Sequence, residues 1–84
     1  MLANITNNRE FEAWRIPGFF LLYVGADHNE AIRRLKQRKD YKVMSTYTTR
    51  EGKLDAVQFK VPERLHRGIK SVLKSLENGD YERP

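Results

Sequence analysis

The sequence YKVMSTYTTREGKLDAVQFKV, residues 41–61, decides the fold class because it contains the pattern of a β-hairpin. Side chains alternate from Tyr41 to Thr49 and again from Leu54 to Val61, with the period of two that is typical of strands. Between them, Arg50 to Lys53 predict a turn in which Gly52 supplies a positive φ. The alternation predicts that one hairpin face carries Tyr41, Val43, Ser45, Tyr47 and Thr49, and that the second strand buries Val57, Phe59 and Val61.

An amphipathic helix is predicted after the hairpin. Pro62 needs no amide hydrogen in a first helical turn, and Asn78–Gly79 suits a C-terminal stop. Gly68 inside this helix costs about 1 kcal/mol relative to Ala, unless a neighbouring backbone has to approach closely there. We expect residues 80–84 to be a flexible tail. The apolar stripe recurs every three or four residues and consists of Leu65, Ile69, Val72, Leu73 and Leu76.

A buried strand and a first helix are predicted before the hairpin. The run from Phe19 to Val24 is apolar without alternation, as expected of a strand that is covered on both faces. Asp27 can cap the helix that follows, and Glu30 can bond back to the cap amide. We expect this helix from about His28 to Lys39. Its narrow apolar stripe is Ala31, Ile32 and Leu35.

The first 17 residues are poorly defined by pattern, and a short helix capped by Asn7 or Asn8 could carry Phe11 and Trp14 on one face. The whole chain, residues 1–84, therefore predicts a single α+β domain in the order strand, helix, strand, strand, helix. We expect a mainly antiparallel three-stranded sheet with two helices packed on one face. Because one layer of helices covers only one face of a sheet, a homodimer through the other face is left open.

Composition excludes several classes of protein. The chain has no cysteine, which excludes disulfides, thiolate zinc sites and a cysteine nucleophile. The longest apolar run, Phe19 to Val24, is far shorter than the roughly 20 residues of a membrane-spanning helix. The N-terminus lacks a basic stretch followed by an apolar core. We therefore expect a cytoplasmic protein that does not bind a membrane.

No motif of an enzyme, a cofactor site or a metal site appears in the sequence. His28 and His66 each lack a nucleophile or a second metal ligand nearby in the sequence, and the carboxylates are scattered. Phosphate-loop, zinc-protease and nucleophile-elbow motifs are absent as well. The sequence therefore predicts a protein without catalytic activity, bound metal or cofactor.

Positive charge is concentrated on the two predicted helices. The chain has 16 Lys and Arg residues against 11 Asp and Glu, a net charge of +5, and residues 31–42 hold six of these cations against Asp40 alone. Clustered cations bind the phosphates of nucleic acid by releasing condensed counterions. We therefore expect a nucleic-acid-binding module. The predicted phosphate contacts are Arg33, Arg34, Lys36, Arg38, Lys39, Lys42, Arg67, Lys70 and Lys74.

Two alternatives use the same residues in other ways. The basic surface could dock on an acidic partner, which would make the chain a small accessory protein, of a virus or mobile element, that regulates or inhibits a host protein. A hairpin face that combines Tyr41 and Tyr47 with nearby lysines could instead stack unpaired bases, unless the second helix covers it. The sequence does not distinguish DNA from RNA.

The stretch from Glu30 to Leu76 also resembles the double-stranded-RNA-binding-like fold of HicA-type toxins. The resemblance covers about half the chain and rests on the order of helix, strands and a helix containing GIKSVLK, residues 68–74. It implies a ribonuclease as a third hypothesis. The chain departs from that family because its predicted strands carry no histidine and because the strand at residues 19–24 precedes the first helix.

Overall fold

A four-stranded antiparallel sheet with two helices on one face forms the structure, a computed structural model that describes residues 10–83. The α+β class is confirmed, with one strand more than the sequence predicted. Short 3-10 turns occupy Ala26–His28, Glu63–Leu65 and Asp80–Glu82. The main elements in chain order are β1 (Phe11–Ile16), β2 (Phe19–Gly25), α1 (Asn29–Lys36), β3 (Lys42–Thr48), β4 (Leu54–Pro62) and α2 (His66–Asn78).

The additional strand is β1, so the short helix predicted around Phe11 and Trp14 is wrong. These two side chains point to opposite sheet faces, because Phe11 pairs with Val24 and Trp14 pairs with Leu21. Antiparallel pairing of all six residues of FEAWRI with the apolar strand β2 outweighs a single helical spacing. The predicted caps at residues 7 and 8 lie outside the described residues.

Two units of the same order, strand, strand and helix, build the fold. β1, β2 and α1 form the first unit, and β3, β4 and α2 form the second. The strand order β1-β2-β4-β3 shows that antiparallel pairing of β2 with β4 joins the units at the centre of the sheet. The first hairpin turns at Pro17–Gly18, where Gly18 has a φ of +82°, and the second at the predicted Gly52, with a φ of +81°.

The core lies between the helices and the sheet face that bears Phe59. Across the β2–β4 junction, Leu22 pairs with Phe59 and Val24 with Val57, and all four side chains are fully buried. Both predicted helical stripes face this layer. Fully or almost fully buried helix residues are Ala31, Ile32 and Leu35 of α1 and Ile69, Val72 and Leu76 of α2, while Leu65 and Leu73 are partly buried.

The N-terminus of α1 is capped by a carboxylate from the other end of the chain. Glu82 accepts hydrogen bonds from the backbone N–H groups of Glu30, at 3.4 Å, and Ala31, at 3.1 Å. The first amides of a helix have no partner inside the helix, and a carboxylate also complements the positive end of its dipole. Tyr81 packs against the core. These contacts tie residues 80–82, which the sequence assigns to the tail, to α1.

Replacing Glu82 with Ala should therefore lower the free energy of unfolding by about 1 kcal/mol, since two helix amides lose their acceptor. Urea denaturation would measure the change, and hydrogen exchange would show faster exchange at the amides of Glu30 and Ala31. Glu77→Ala is the matched control, because Glu77 is exposed in the last turn of α2 and should be neutral or slightly stabilising on removal. Equal effects of the two substitutions would show that the Glu82 cap contributes nothing.

The two glycines of the α2 region should respond to alanine in opposite ways. A Cβ at Gly68 meets only the Tyr41 hydroxyl, at 3.8 Å, so no backbone approach requires glycine there. Gly68→Ala should raise the free energy of unfolding by about 0.5 to 1 kcal/mol. Gly79 follows α2 at a φ of +72°, so Gly79→Ala should lower it by about 1 kcal/mol. A loss of stability in Gly68→Ala, measured by thermal and urea unfolding, would contradict the first expectation.

Candidate nucleic-acid interfaces

The nine predicted phosphate contacts lie on two different sides of the sheet. All nine side chains are exposed. Lys42 is the exception in position, because it lies on β3 opposite Lys60 and faces away from the helices. The other eight belong to the helices or to the turn after α1, and we call them the basic helix layer. They are Arg33, Arg34 and Lys36 of α1, Arg38 and Lys39 of the turn, and Arg67, Lys70 and Lys74 of α2.

The helix side carries the largest share of the positive charge. Residues 26–41 and 63–83, which contain both helices, together hold ten Lys and Arg against seven Asp and Glu, a net +3 of the chain's +5. The first hairpin, residues 10–25, holds a net −1, and the second hairpin, residues 42–62, holds a net +2. The cations of α2 stand clear of the core, because Arg67, Lys70 and Lys74 are exposed whereas Ile69 and Val72 are buried.

On α1, Arg33 is partly neutralised within its own helix. Its guanidinium lies 2.7 Å from Glu30 Oε1 in an i,i+3 ion pair, and its Nε also donates to this carboxylate. The hydrogen bond from Arg33 holds the pKa of Glu30 below its usual value and raises the pKa of Arg33. Arg34 and Lys36 form no salt bridge with any residue between 10 and 83. They are therefore better placed than Arg33 to bind an external anion.

The turn after α1 meets the start of α2 at a shallow cavity of about 200 Å³. Arg38 and Gly68 line it from the two sides, and Asp40 of the turn accepts from Arg64 at 3.2 Å. The Arg38 guanidinium lies 5.3 Å from the centroid of the Tyr41 ring, within range of a cation–π contact. The cavity therefore places the two cations of the turn, Arg38 and Lys39, beside the first turn of α2.

Tyr41 and Tyr47 do not share a face, so the predicted tyrosine face of the hairpin is wrong. Tyr41 lies in the core, 5% exposed, with its ring 6.3 Å from that of Phe59. Tyr47 pairs with Ala56, on the sheet face away from the helices. The alternation fails because the β3–β4 register shifts between residues 43 and 45, and one extra residue in a strand reverses the face of every later side chain.

The sheet face away from the helices is aromatic and, within residues 10–83, no helix packs on it. We call it the open sheet face. On β4 it consists of Ala56, Gln58 and Lys60, and on the neighbouring strands it consists of the residues in register with these three. Four of the five exposed large hydrophobic residues belong to it. Its large rings and its most exposed apolar side chains are Trp14, Phe19, Tyr23, Met44, Tyr47 and Leu54.

The rings of this face are held by specific contacts. The rings of Tyr23 and Tyr47 lie 5.9 Å apart, and the Tyr47 hydroxyl donates to Gln58 Oε1 at 3.1 Å. Trp14 is 39% exposed and stands beside its buried cross-strand partner Leu21. The aromatic side chains of the face are therefore positioned by strands and neighbouring side chains rather than by mobile loops.

Two lysines stand directly opposite each other at one end of the open sheet face. Lys42 on β3 pairs with Lys60 on β4. Like charges in this position destabilise a sheet, and a bound anion removes that cost. The Lys60 ammonium lies 4.0 Å from the centroid of the Phe19 ring.

Glu10 and Glu12 are the acids of this face and border a shallow cavity with Trp14 and Tyr23. Glu12 lies on β1, three strand spacings or about 14 Å from β3.

Sequence reasoning missed Trp14, Phe19 and Tyr23 as site residues, whereas Lys60 is among the lysines that it placed near the predicted tyrosine face. The sequence signal for these residues was Pro17–Gly18, which predicts a hairpin turn between two apolar segments if residues 11–16 form a strand. With that hairpin in register, alternate residues of β1 and β2 fall on one face. The alternation of β2 itself is hidden because its other side chains are equally apolar.

The described residues contain neither a cluster of metal ligands nor a membrane-spanning helix. Nowhere in residues 10–83 do three or more His, Asp or Glu side chains come together to hold a metal ion. Neither described helix has the length and apolar character that a membrane crossing requires. His28 is buried with its ring edge-on to Phe11, at 5.6 Å, while His66 is exposed at the start of α2. The two histidines therefore lie in different environments and form no shared site.

No protein-family model, curated protein or solved structure matches this chain.

The buried Tyr41 hydroxyl predicts both a stability effect and a pH effect. Within residues 10–83 it has no hydrogen-bond partner, and burial raises the pKa of Tyr41 while the nearby Arg38 charge offsets part of the rise. Tyr41→Phe should therefore raise the free energy of unfolding by about 1 kcal/mol at pH 7. Because the folded state holds the phenol proton more tightly than the unfolded state, the free energy of unfolding falls as the pH rises above the unfolded pKa of about 10.

Urea denaturation of wild type and Tyr41→Phe from pH 7 to pH 11 would measure both effects. The wild type should lose stability at high pH more steeply than the variant. Tyr47→Phe is the control, because Tyr47 is 42% exposed and loses a formed hydrogen bond to Gln58, so it should be neutral or destabilising. A Tyr41→Phe protein less stable than wild type at pH 7 would show that the hydroxyl has a favourable partner.

Proposed function

We propose that the protein is a non-enzymatic nucleic-acid-binding module that contacts phosphates through the basic helix layer. The observation that carries this proposal is the clustering of eight exposed cations on the helix side of the sheet, where the segments with the helices hold a net +3. Exposed lysines and arginines on one layer create a positive potential that attracts polyanions and raises their rate of association. Binding of this kind is largely independent of sequence and weakens steeply with salt.

The central contacts in this proposal are Arg34 on α1 and Lys70 and Lys74 on α2. Each is exposed, and none forms a salt bridge with a described residue. Arg33 contributes less because Glu30 already neutralises part of its charge. Arg38 serves at the junction of the two helices, where its guanidinium also contacts Tyr41.

An acidic partner protein is the competing ligand for the same layer. A small accessory protein that regulates a host protein would use the same cations for charge-complementary docking. Phosphate is favoured because the cations of α1 and α2 are spread over two exposed helix faces, and the shallow cavity beside Arg38 and Lys39 has its aromatic ring, Tyr41, buried in the core. Protein interfaces instead concentrate their binding energy in aromatic and arginine anchors that the partner covers. Cations spread over two helices can each contact a different phosphate of a nucleic-acid backbone.

Replacing Arg34 and Lys70 with Ala should weaken binding to a random-sequence duplex at low salt. Each substitution removes about one phosphate contact. The slope of log K against log salt is negative, and its magnitude should decrease by about 0.9 for each substitution. Mobility shift or fluorescence anisotropy with a labelled duplex of about 20 base pairs, at four salt concentrations, would measure affinity and slope together.

The matched control is Arg50→Ala with Lys53→Ala, which removes the same charge from the exposed β3–β4 turn, away from the helices. The control should leave the salt slope close to that of wild type. An equal loss in both double variants would show that binding depends on net charge and not on the basic helix layer. Wild-type protein that fails to bind any duplex at low salt, but forms a stoichiometric complex with an acidic protein, would replace the proposal with the competing one.

A further inference from the structure

We propose that the open sheet face is a second binding surface, which stacks the bases of single-stranded nucleic acid and holds the adjoining phosphates between Lys42 and Lys60. This surface lies on the opposite side of the sheet from the basic helix layer, so the inference goes beyond the proposed function. Its ligand also differs, since bases in a duplex are already stacked and paired and are not available to a protein ring.

The first support is the chemistry of the face. Trp14, Tyr23 and Tyr47 present aromatic rings on three different strands, and Trp14 and Tyr47 are 39% and 42% exposed. Antiparallel sheets with exposed aromatic side chains are the common platform for unpaired bases, because every base offers a flat surface for stacking. The rings stand on regular strands, which reduces the conformational entropy that binding has to overcome.

The second support is the placement of charge on the same face. One row of the sheet runs from Trp14 through Leu21 and Lys60 to Lys42, each residue paired with the next across the strands. A base stacked on Trp14 would therefore lie two strand spacings, about 10 Å, from the Lys60 strand. Lys42 and Lys60 face each other without an acid beside them on this face, so their mutual repulsion favours binding of a phosphate.

The third support concerns orientation and hydrogen bonding. The Tyr47 hydroxyl donates to Gln58 Oε1, which fixes the side-chain amide in the middle of the face. The Gln58 Nε2 group has only the Met44 sulfur as a described acceptor, at 3.7 Å, and a thioether is a weak acceptor. Because Gln58 is only 8% exposed, its amide supports the Tyr47 ring from beneath and leaves stacking to the exposed rings.

A second copy of the chain is the competing occupant of this face, since it is apolar enough to pair with itself. Pairing two such faces would bury four lysines and four glutamates, because each face carries Lys42, Lys60, Glu10 and Glu12. Taking these charges out of water costs more than their attraction to one another usually returns. A polyanion meets Lys42 and Lys60 at the end of the face away from the glutamates, which is why we favour single-stranded nucleic acid.

The sole tryptophan of the chain provides a direct readout. Titration of the full chain with a single-stranded oligothymidine or oligouridine of about eight nucleotides should quench the fluorescence of Trp14 to saturation. An oligonucleotide of the same length with abasic sugars has the same phosphates but no bases, and it should bind at least about tenfold more weakly and quench little.

Two substitutions of Tyr47 distinguish stacking from apolar docking. Tyr47→Leu keeps apolar surface but removes the ring, and it should weaken oligonucleotide binding about tenfold. Tyr47→Phe keeps the ring and loses only the bond to Gln58, so it should bind within about threefold of wild type. Tyr47 is exposed on an edge strand, and circular dichroism would confirm that both variants fold.

The double variant Arg34→Ala with Lys70→Ala separates this inference from the proposed function. It should lose duplex affinity while Trp14 quenching by the short oligonucleotide stays within about threefold of wild type. Equal binding of the abasic strand, or oligonucleotide binding that leaves Trp14 emission unchanged, would overturn the inference and leave the helix-layer proposal intact. So would light scattering that shows a stable dimer whose formation shields Trp14 and is unaffected by the oligonucleotide.

Discussion

The antiparallel pairing of β2 with β4 is the constraint on which the rest of the structure depends. It joins two strand-strand-helix units through a continuous register from Phe19↔Pro62 to Gly25↔Ala56. On one side of this junction, Leu22, Val24 and Phe59 are fully buried and form the floor on which both helices pack. Because both helices follow their hairpins onto the same side, the other side of the sheet receives no covering layer from residues 10–83.

This division gives the protein two surfaces of different chemistry. The helix side combines a net positive charge with exposed, flexible side chains, while the open sheet face combines fixed rings with a pair of lysines at one end. Flexible cations suit contacts with phosphates that carry no sequence information. Aromatic rings that strands hold in place can stack against flat ligands such as bases. The proposed function and the further inference each depend on one of these surfaces, so each stands on its own observations.

The C-terminal segment shows how a small domain stabilises its weakest element. α1 has only eight residues, a length at which an isolated helix does not form in water. It is held by its short apolar stripe against the sheet and by Glu82, which accepts from its first free amides. The basic residues of α1 therefore depend for their position on a contact with a residue about fifty positions away in the chain.

The sequence by itself determined the α+β class, the β3–β4 hairpin, both helices and the exposure of the basic residues. These features follow from side-chain periodicity and turn residues within a few positions, so local patterns are sufficient to predict them. Only the tertiary structure decided that β1 is a strand, because its pairing with β2 outweighs a helical spacing that the sequence also permits. It also decided the faces of Tyr41 and Tyr47, which depend on a register shift between β3 and β4, and the assembly of rings from three strands into one surface. Strand register and sheet order are set by contacts between segments that are distant in the chain. The side-chain pattern of either segment alone does not predict those contacts.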